Sequence, residues 1–216
     1  MPCDRVPEQT INRLPIYLRC LLQARAIGMQ VVNSLQLAQM AGTNAAQVRK
    51  DLSYLGELGT RGLGYDVSAL IVHVSEVLGL SDRRRVAIVG FGRLGGALLG
   101  YPGFSDRGFE IVGVFDADPA KIGNVVDRRG VVPGGLTVRP VEHLEDELRD
   151  LGVEIVILTT PAYVAQSIAE RVAGAGVKSI LNFSPMRLEL PADVRVRPVD
   201  LSVELQVLSF YLARTD

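Results

Sequence analysis

Two hydrophobic rhythms divide the chain. Up to Leu80 the apolar residues recur at helical spacing, with Ile11, Leu14, Leu18, Leu21 and Leu22 forming one stripe and Leu35, Leu37, Ala38 and Ala41 a shorter one. This spacing predicts amphipathic helices. From Arg85 onward, β-rich runs at Val86–Val89, Ile111–Phe115, Ile155–Leu158 and Ser179–Leu181 alternate with helical segments at Leu94–Leu99, Val141–Leu151 and Val164–Ala173. Such alternation predicts an α/β domain, a parallel sheet covered by helices. The charged stretch 82–85 marks the junction, so the expected organisation is a helical domain at 1–80, an α/β domain at 81–199 and a terminal helix at 200–216. That last segment, Leu201–Arg214, is apolar almost all round a helix and must be buried on several sides. An α/β domain offers it one face, so the other is expected to pack on a second subunit of a homodimer or on the N-terminal domain.

The 216 residues are 48% hydrophobic and 22% charged, enough apolar material for one large domain or two modest ones. With 23 Lys+Arg against 24 Asp+Glu the net charge is −1, so nucleic-acid binding would have to come from local clustering of cations. Two cysteines and two histidines, widely scattered, argue against a metal site or a disulfide framework and fit a reducing cytoplasm. The longest uncharged stretch, Ala26–Val48, carries Gln30, Asn33, Gln36, Gln39 and Gln47 and does not read as a membrane span. The N-terminal residues lack the apolar segment of a signal peptide.

The strand Val86–Val89 runs directly into Gly90-Phe91-Gly92-Arg93-Leu94-Gly95 and then a helix. In this setting G-x-G-x-x-G carries a mechanism. Gly90 permits the tight turn, Gly92 lets the backbone approach a pyrophosphate, Gly95 allows close helix–strand packing, and the helix N-terminus supplies free N–H groups. Asp116 follows at the end of the next strand, where a carboxylate accepts hydrogen bonds from the adenosine ribose and repels a 2′-phosphate, favouring NAD(H) over NADP(H). Asp118 competes for that role, although Asp116 has the usual strand-end placement. No acid–base residue for hydride transfer is evident. His73 precedes the dinucleotide domain, His143 lies in a polar segment, and Tyr163 starts no Tyr-x-x-x-Lys pair. A binding module is therefore expected rather than an enzyme, the alternative being an NAD-dependent oxidoreductase with a fused helical domain.

In the first half, Leu35–Ala41, Gly42 and a second helix from Asn44 to Leu55 follow helix-turn-helix grammar, with Ser34 and Thr43 as expected N-caps. Ala46, Val48, Leu52 and Leu55 are expected to face the core, leaving Asn44, Gln47, Arg49, Lys50 and Ser53 to read base edges or hold phosphates. The glycine-rich stretch Gly56–Tyr65 reads as a β-hairpin wing whose tip, Arg61 with Gly62 and Tyr65 beside it, suits a minor groove. Arg83, Arg84 and Arg85 offer phosphate contacts or, more simply, form a solvated linker.

Taken together, Gln47–Tyr54, Gly59–Tyr65, Gly90–Gly95 with Tyr101–Phe104, Asn182–Pro185 and Val199–Leu201 make the sequence closely resemble the Rex family of redox-sensing transcriptional repressors. The resemblance implies a winged helix-turn-helix domain, a Rossmann-like NAD(H) domain and a domain-swapped terminal helix. It further implies a homodimer that binds a palindromic double-stranded operator and leaves it when NADH is bound. NAD⁺ and NADH differ by one positive charge, so a sensor must place the nicotinamide where charge is costly. Phe104, Thr159, Thr160, Pro161 and Phe183 are the candidates to line such an apolar pocket. Tyr101 and Asp200 are expected to share a hydrogen bond, with Arg19 competing for the carboxylate as the switch.

Overall fold

The computed structural model describes residues 6–56, 58–60, 62–126 and 134–214. The chain divides into two units, Met1–Asp82 and Arg83–Asp216.

In the first unit, helix α1 (Glu8–Ala26) buries Thr10, Leu14, Tyr17, Leu21 and Ala24. The stripe is rotated from the expected one. Ile11 is exposed and Leu18 and Leu22 are only partly buried, because Thr10 and Tyr17 turn inward to meet a buried carboxylate. Helices α2 (Ser34–Ala41) and α3 (Ala45–Ser53) follow strand β1 (Val31–Val32), which pairs antiparallel with β2 (Tyr65–Asp66) ahead of α4 (Val67–Val77). The caps differ from those expected by one residue each. Asn33 accepts from the amides of Leu35 and Gln36, and Asn44 from that of Gln47. Asparagine at these positions caps as well as serine or threonine, and Ser34 keeps its hydroxyl for another partner. Gly42 ends α2 in the left-handed conformation, φ 67°. Of the residues assigned inward on α3, Val48, Leu52 and Leu55 are buried, but Ala46 is exposed and Ala45 packs on the core instead.

The second unit is built on seven strands in the order β5-β6-β4-β3-β7-β8-β9. These are β3 (Arg84–Val89), β4 (Phe109–Asp116), β5 (Val125–Val126), β6 (Leu136–Pro140), β7 (Ile155–Leu158), β8 (Ser179–Asn182) and β9 (Arg195–Pro198), all parallel except the β5–β6 pair. The chain builds outward from β3 through β4 to β6 and then returns to place β7 on the other side of β3. The order thus reverses between β3 and β7, the crevice where doubly wound sheets bind dinucleotides. Helices α5 (Arg93–Leu99) and α6 (Pro102–Ser105) lie with Val86, Ile88, Val114 and Ile157 in one core layer. Helices α7 (Leu144–Asp150) and α8 (Ala162–Gly174) lie with Ala87, Val89, Phe115 and Leu158 in the other. Strands β5, β6 and β9 carry too little continuous apolar sequence to stand out, as peripheral strands commonly do.

Arg84 and Arg85 are fixed within the sheet's surroundings rather than offered to phosphates. Arg84 pairs with Glu154 at 2.6 Å, and the Arg85 Nε donates to the Leu151 carbonyl. The terminal helix α9 (Leu201–Leu212) has no buried residue, and Leu201, Leu205, Leu208, Phe210, Tyr211 and Leu212 are each more than half exposed. The expectation that the α/β domain would cover one of its faces is not met.

Candidate functional site

On the first unit, the face formed by α3 and the wing carries most of the groups assigned to DNA. Lys50, Arg49 and Ser53 are exposed. Arg49 donates to the Ser34 hydroxyl at 2.9 Å, and Ser53 donates back to the Lys50 carbonyl. Asn44 spends its side-chain oxygen on the cap of α3, which limits it as a base reader. The wing is a minimal hairpin in which Thr60 and Gly64 exchange both backbone hydrogen bonds, at 3.0 and 3.1 Å. Gly62 lies within its turn, Tyr65 is partly buried at its foot, and Arg61 lies outside the described residues. A cleft of about 450 Å³ opens between α3 and this hairpin, lined by Ser34, Arg49, Ser53, Thr60 and Tyr65 among others.

Behind α3 is a group that the hydrophobic pattern did not reveal. The Asp51 carboxylate is fully buried and accepts five hydrogen bonds: from Thr10 Oγ1, Arg13 Nε and Nη2, Tyr17 OH and Gln47 Nε2. Burial alone would raise its pKa, but the Arg13 guanidinium and the Tyr17, Thr10 and Gln47 donors hold it down at about 2. Its sequence signal was a carboxylate on an otherwise apolar helical stripe, Val48-Asp51-Leu52-Leu55. A charge in such a position requires buried partners.

At the sheet's switch point, the Gly90 amide donates to the Phe115 carbonyl, and the Thr159 hydroxyl donates to the Gly90 carbonyl at 2.6 Å. The turn is therefore fixed to both neighbouring strands. The three glycines meet different surroundings. A Cβ at Gly90, which has φ 98°, would lie 2.8 Å from the Thr159 backbone, and one at Gly95 would collide with the Gly90 carbonyl oxygen, whereas among the described residues nothing lies within 4 Å of one at Gly92. That open space, beside the first-turn amides of α5, fits a pyrophosphate. Gly95→Ala should destabilise the protein by about 1–3 kcal/mol through overpacking. Gly92→Ala should leave thermal unfolding nearly unchanged while abolishing dinucleotide binding measured by NADH fluorescence. Normal NADH binding by Gly92→Ala would place the pyrophosphate elsewhere.

Asp116 closes β4 as expected, but its carboxylate is already engaged. It accepts from the amides of Phe91 (2.6 Å) and Asp118 (2.8 Å) and from Lys121 Nζ (3.0 Å). Burial opposes its ionisation, yet the Asp118 amide, the Lys121 ammonium and the Phe91 amide keep its pKa below the ordinary value. Asp118 accepts from the Ala120 amide and lies 3.6 Å from Lys121. A cleft of about 400 Å³ beside the glycine turn is lined by Phe91, Gly92, Arg93, Lys121 and Asn124, so Lys121 and Asn124 join the site although the glycine fingerprint gave no sign of them.

Of the residues assigned to a nicotinamide pocket, Phe104 and Phe183 share one apolar cluster with Phe91. Pro161 precedes α8 as its N-cap, and the Thr160 hydroxyl is buried without a hydrogen-bond partner among the described residues. The Tyr101 ring packs edge-on against Phe104 with centroids 5.1 Å apart. Asp200 caps α9, accepting from Ser202 N and Oγ at 2.9 and 2.6 Å. Among the described residues, Tyr101 and Asp200 of one chain are not hydrogen-bonded to each other. Leu94 is exposed on α5 and Arg19 on α1. Among the described residues no helix is long and apolar enough to cross a membrane, and no group of three His, Cys, Asp or Glu side chains is placed to hold a metal.

Comparison with known proteins joins the two sites. A model described as a putative DNA-binding protein N-terminus matches residues 5–53, and one described as a CoA binding domain matches 81–186. The redox-sensing transcriptional repressor Rex of Streptomyces griseus is 47% identical over 97% of this chain and 80% of its own length. That of Carboxydothermus hydrogenoformans is 47% identical over 97% of this chain and 98% of its own. The chain belongs to the Rex family of redox-sensing transcriptional repressors. Two crystal structures of RSP, a Rex-family repressor, extend the likeness to three dimensions. One, in complex with β-NAD⁺ and operator DNA, superposes with a TM-score of 0.88 at 35% identity, covering 96% of this chain and 92% of RSP. The other, in complex with β-NADH, gives 0.84 at 34% identity, covering 96% and 94%. Rex membership decides between the two readings left by the sequence in favour of a repressor over an oxidoreductase.

Proposed function

We propose that this Rex protein binds a palindromic operator as a homodimer through its winged-helix units and is released from it when NADH occupies the glycine turn of the α/β unit. The observation that carries the reading is the pairing, in one Rex chain, of an α3–wing cleft lined by Arg49, Ser53 and Ser34, with Lys50 exposed on the same helix, and an open pyrophosphate cradle at Gly92. RSP supplies support, having been crystallised with operator DNA and β-NAD⁺ and, separately, with β-NADH. Asn44, Gln47, Arg61, Gly62 and Tyr65 complete the DNA-facing set, and Phe91, Arg93, Leu94 and Gly95 the turn. Phe104, Thr159, Thr160, Pro161 and Phe183 surround the nicotinamide end, where an unpaired cation is poorly tolerated. In the homodimer, Asp200 meets Tyr101 across chains and Arg19 competes for the same carboxylate, so that redox state selects its partner. The cytoplasm is the compartment where such a repressor meets both DNA and the NADH pool. The deciding experiment is operator binding at fixed total dinucleotide while the NADH:NAD⁺ ratio is raised. Affinity should fall steeply with NADH, and an affinity indifferent to the ratio would refute the reading.

Cofactor choice follows from the Asp116–Lys121 pair. Asp116→Ala removes a charged acceptor and should weaken NADH binding by roughly 1.5–3 kcal/mol. It also releases the Lys121 ammonium from one of its two carboxylate partners, so NADPH affinity should hold or rise, and the double variant Asp116→Ala/Lys121→Ala should lose that gain. Unchanged preference for NADH over NADPH in Asp116→Ala would assign the ribose contact to Asp118 or another residue.

A further inference from the structure

Gln47 is the third residue of α3, and the first turn of a recognition helix is the part that reaches base edges. A free glutamine there is ambiguous, because its amide turned one way presents an acceptor and turned the other way presents donors. Here the amide is not free to choose. Its Nε2 lies 2.9 Å from Asp51 Oδ1, and an ionised carboxylate only accepts hydrogen bonds, so the NH₂ end must face Asp51. The carboxylate itself is immobile: it is fully buried on the core side of α3 and tied to α1 through Thr10, Arg13 and Tyr17. Flipping Gln47 would set its carbonyl oxygen against a buried anion. The backbone end is fixed as well, since the Gln47 amide N–H donates to Asn44 Oδ1 at 2.8 Å.

We infer that Asp51 makes Gln47 a one-way reader, presenting its side-chain oxygen as an acceptor and so selecting a base with an exocyclic amino group in the major groove. Adenine N6 and cytosine N4 offer such a donor, whereas guanine O6 and thymine O4 present only acceptors there. Gln47 is the specificity residue and Asp51 a positioning residue that acts through it. The inference rests on the operator-binding reading above and adds the chemical class of base that one position must carry.

The test uses the full chain. Its preferred sequence is first selected from a pool of randomised duplexes. Each adenine of a half-site is then replaced in turn by purine, which lacks the 6-amino group, and each cytosine by 2-pyrimidinone, which lacks the 4-amino group. At one position per half-site the substitution should cost the wild-type protein on the order of tenfold in affinity, and Gln47→Ala should be indifferent to it. Asp51→Asn, which lets the amide turn over, should bring keto and amino bases at that position toward equal affinity while preferences elsewhere persist. A general loss of folding would instead lower affinity uniformly across all duplexes. The inference fails if wild type tolerates loss of every amino group, if Gln47→Ala retains the sensitivity, or if Asp51→Asn binds with its discrimination at that position intact. Should selection enrich no sequence, the operator-binding reading falls and takes the inference with it; the first three results leave that reading standing.

Discussion

Replacing Asp51 with alanine is expected to cost about 3–5 kcal/mol of stability in the N-terminal unit, as removal of one partner from a buried ionic network does. The loss leaves the Arg13 guanidinium without its anion and strands the buried Thr10 and Tyr17 hydroxyls, which the wild-type carboxylate satisfies. Urea unfolding followed by circular dichroism reads the cost directly. The effect also has a definite pH signature. The folded Asp51 pKa of about 2 lies below its ordinary value of 3.8, so as pH falls the unfolded chain takes up the proton first. Stabilisation by the carboxylate is therefore complete above about pH 4 and fades as pH drops toward 2. The gap between wild type and Asp51→Ala should narrow through that window, and a gap independent of pH would show that the carboxylate contributes by packing alone.

The double variant Leu205→Glu/Leu208→Glu is expected to abolish dimerisation. Both side chains are more than half exposed on a helix with no buried residue, so charge there should leave the folding of a single chain within about 0.5 kcal/mol of wild type. A face built to meet a second chain would instead bury two unpaired carboxylates. Sedimentation at micromolar concentration should show monomer. Operator affinity should fall by about a hundredfold or more, because linked half-site binding is lost. NADH binding, if measured alongside, reports whether the glycine turn also depends on the second chain. A variant that sediments as a dimer would remove α9 from the interface.

The sequence made the second unit more legible than the first. In β3, β4, β7 and β8 the hydrophobic runs coincide with central strands, since strands buried on both faces must be apolar throughout. Edge and short strands lack that constraint, and β5, β6 and β9 went unseen. In the first unit the helices were evident but their rotation was not. A period of three to four residues does not distinguish a stripe through Ile11 from one through Thr10, and only a buried partner decides. The same reasoning explains the site. Gly92, Gly95 and Asp116 announced themselves by spacing, while Asp51, Lys121 and Asn124 matter because of what folding brings beside them. Asp116 was legible as a position, but its engagement by Phe91, Asp118 and Lys121 was not.

The way α3 is held sets which of its positions can change without loss of the fold. Its inward face is secured by Val48, Asp51 and Leu52, whereas Lys50 and Ser53 project into solvent and contribute little to that attachment. Substitutions at 50 and 53 should therefore be tolerated by the fold at almost no cost. Position 47 is less free, because its side chain also donates to the buried Asp51 carboxylate. Substitution at 47 thus also removes a donor from the buried Asp51 network, whereas substitution at 50 and 53 should leave stability nearly untouched.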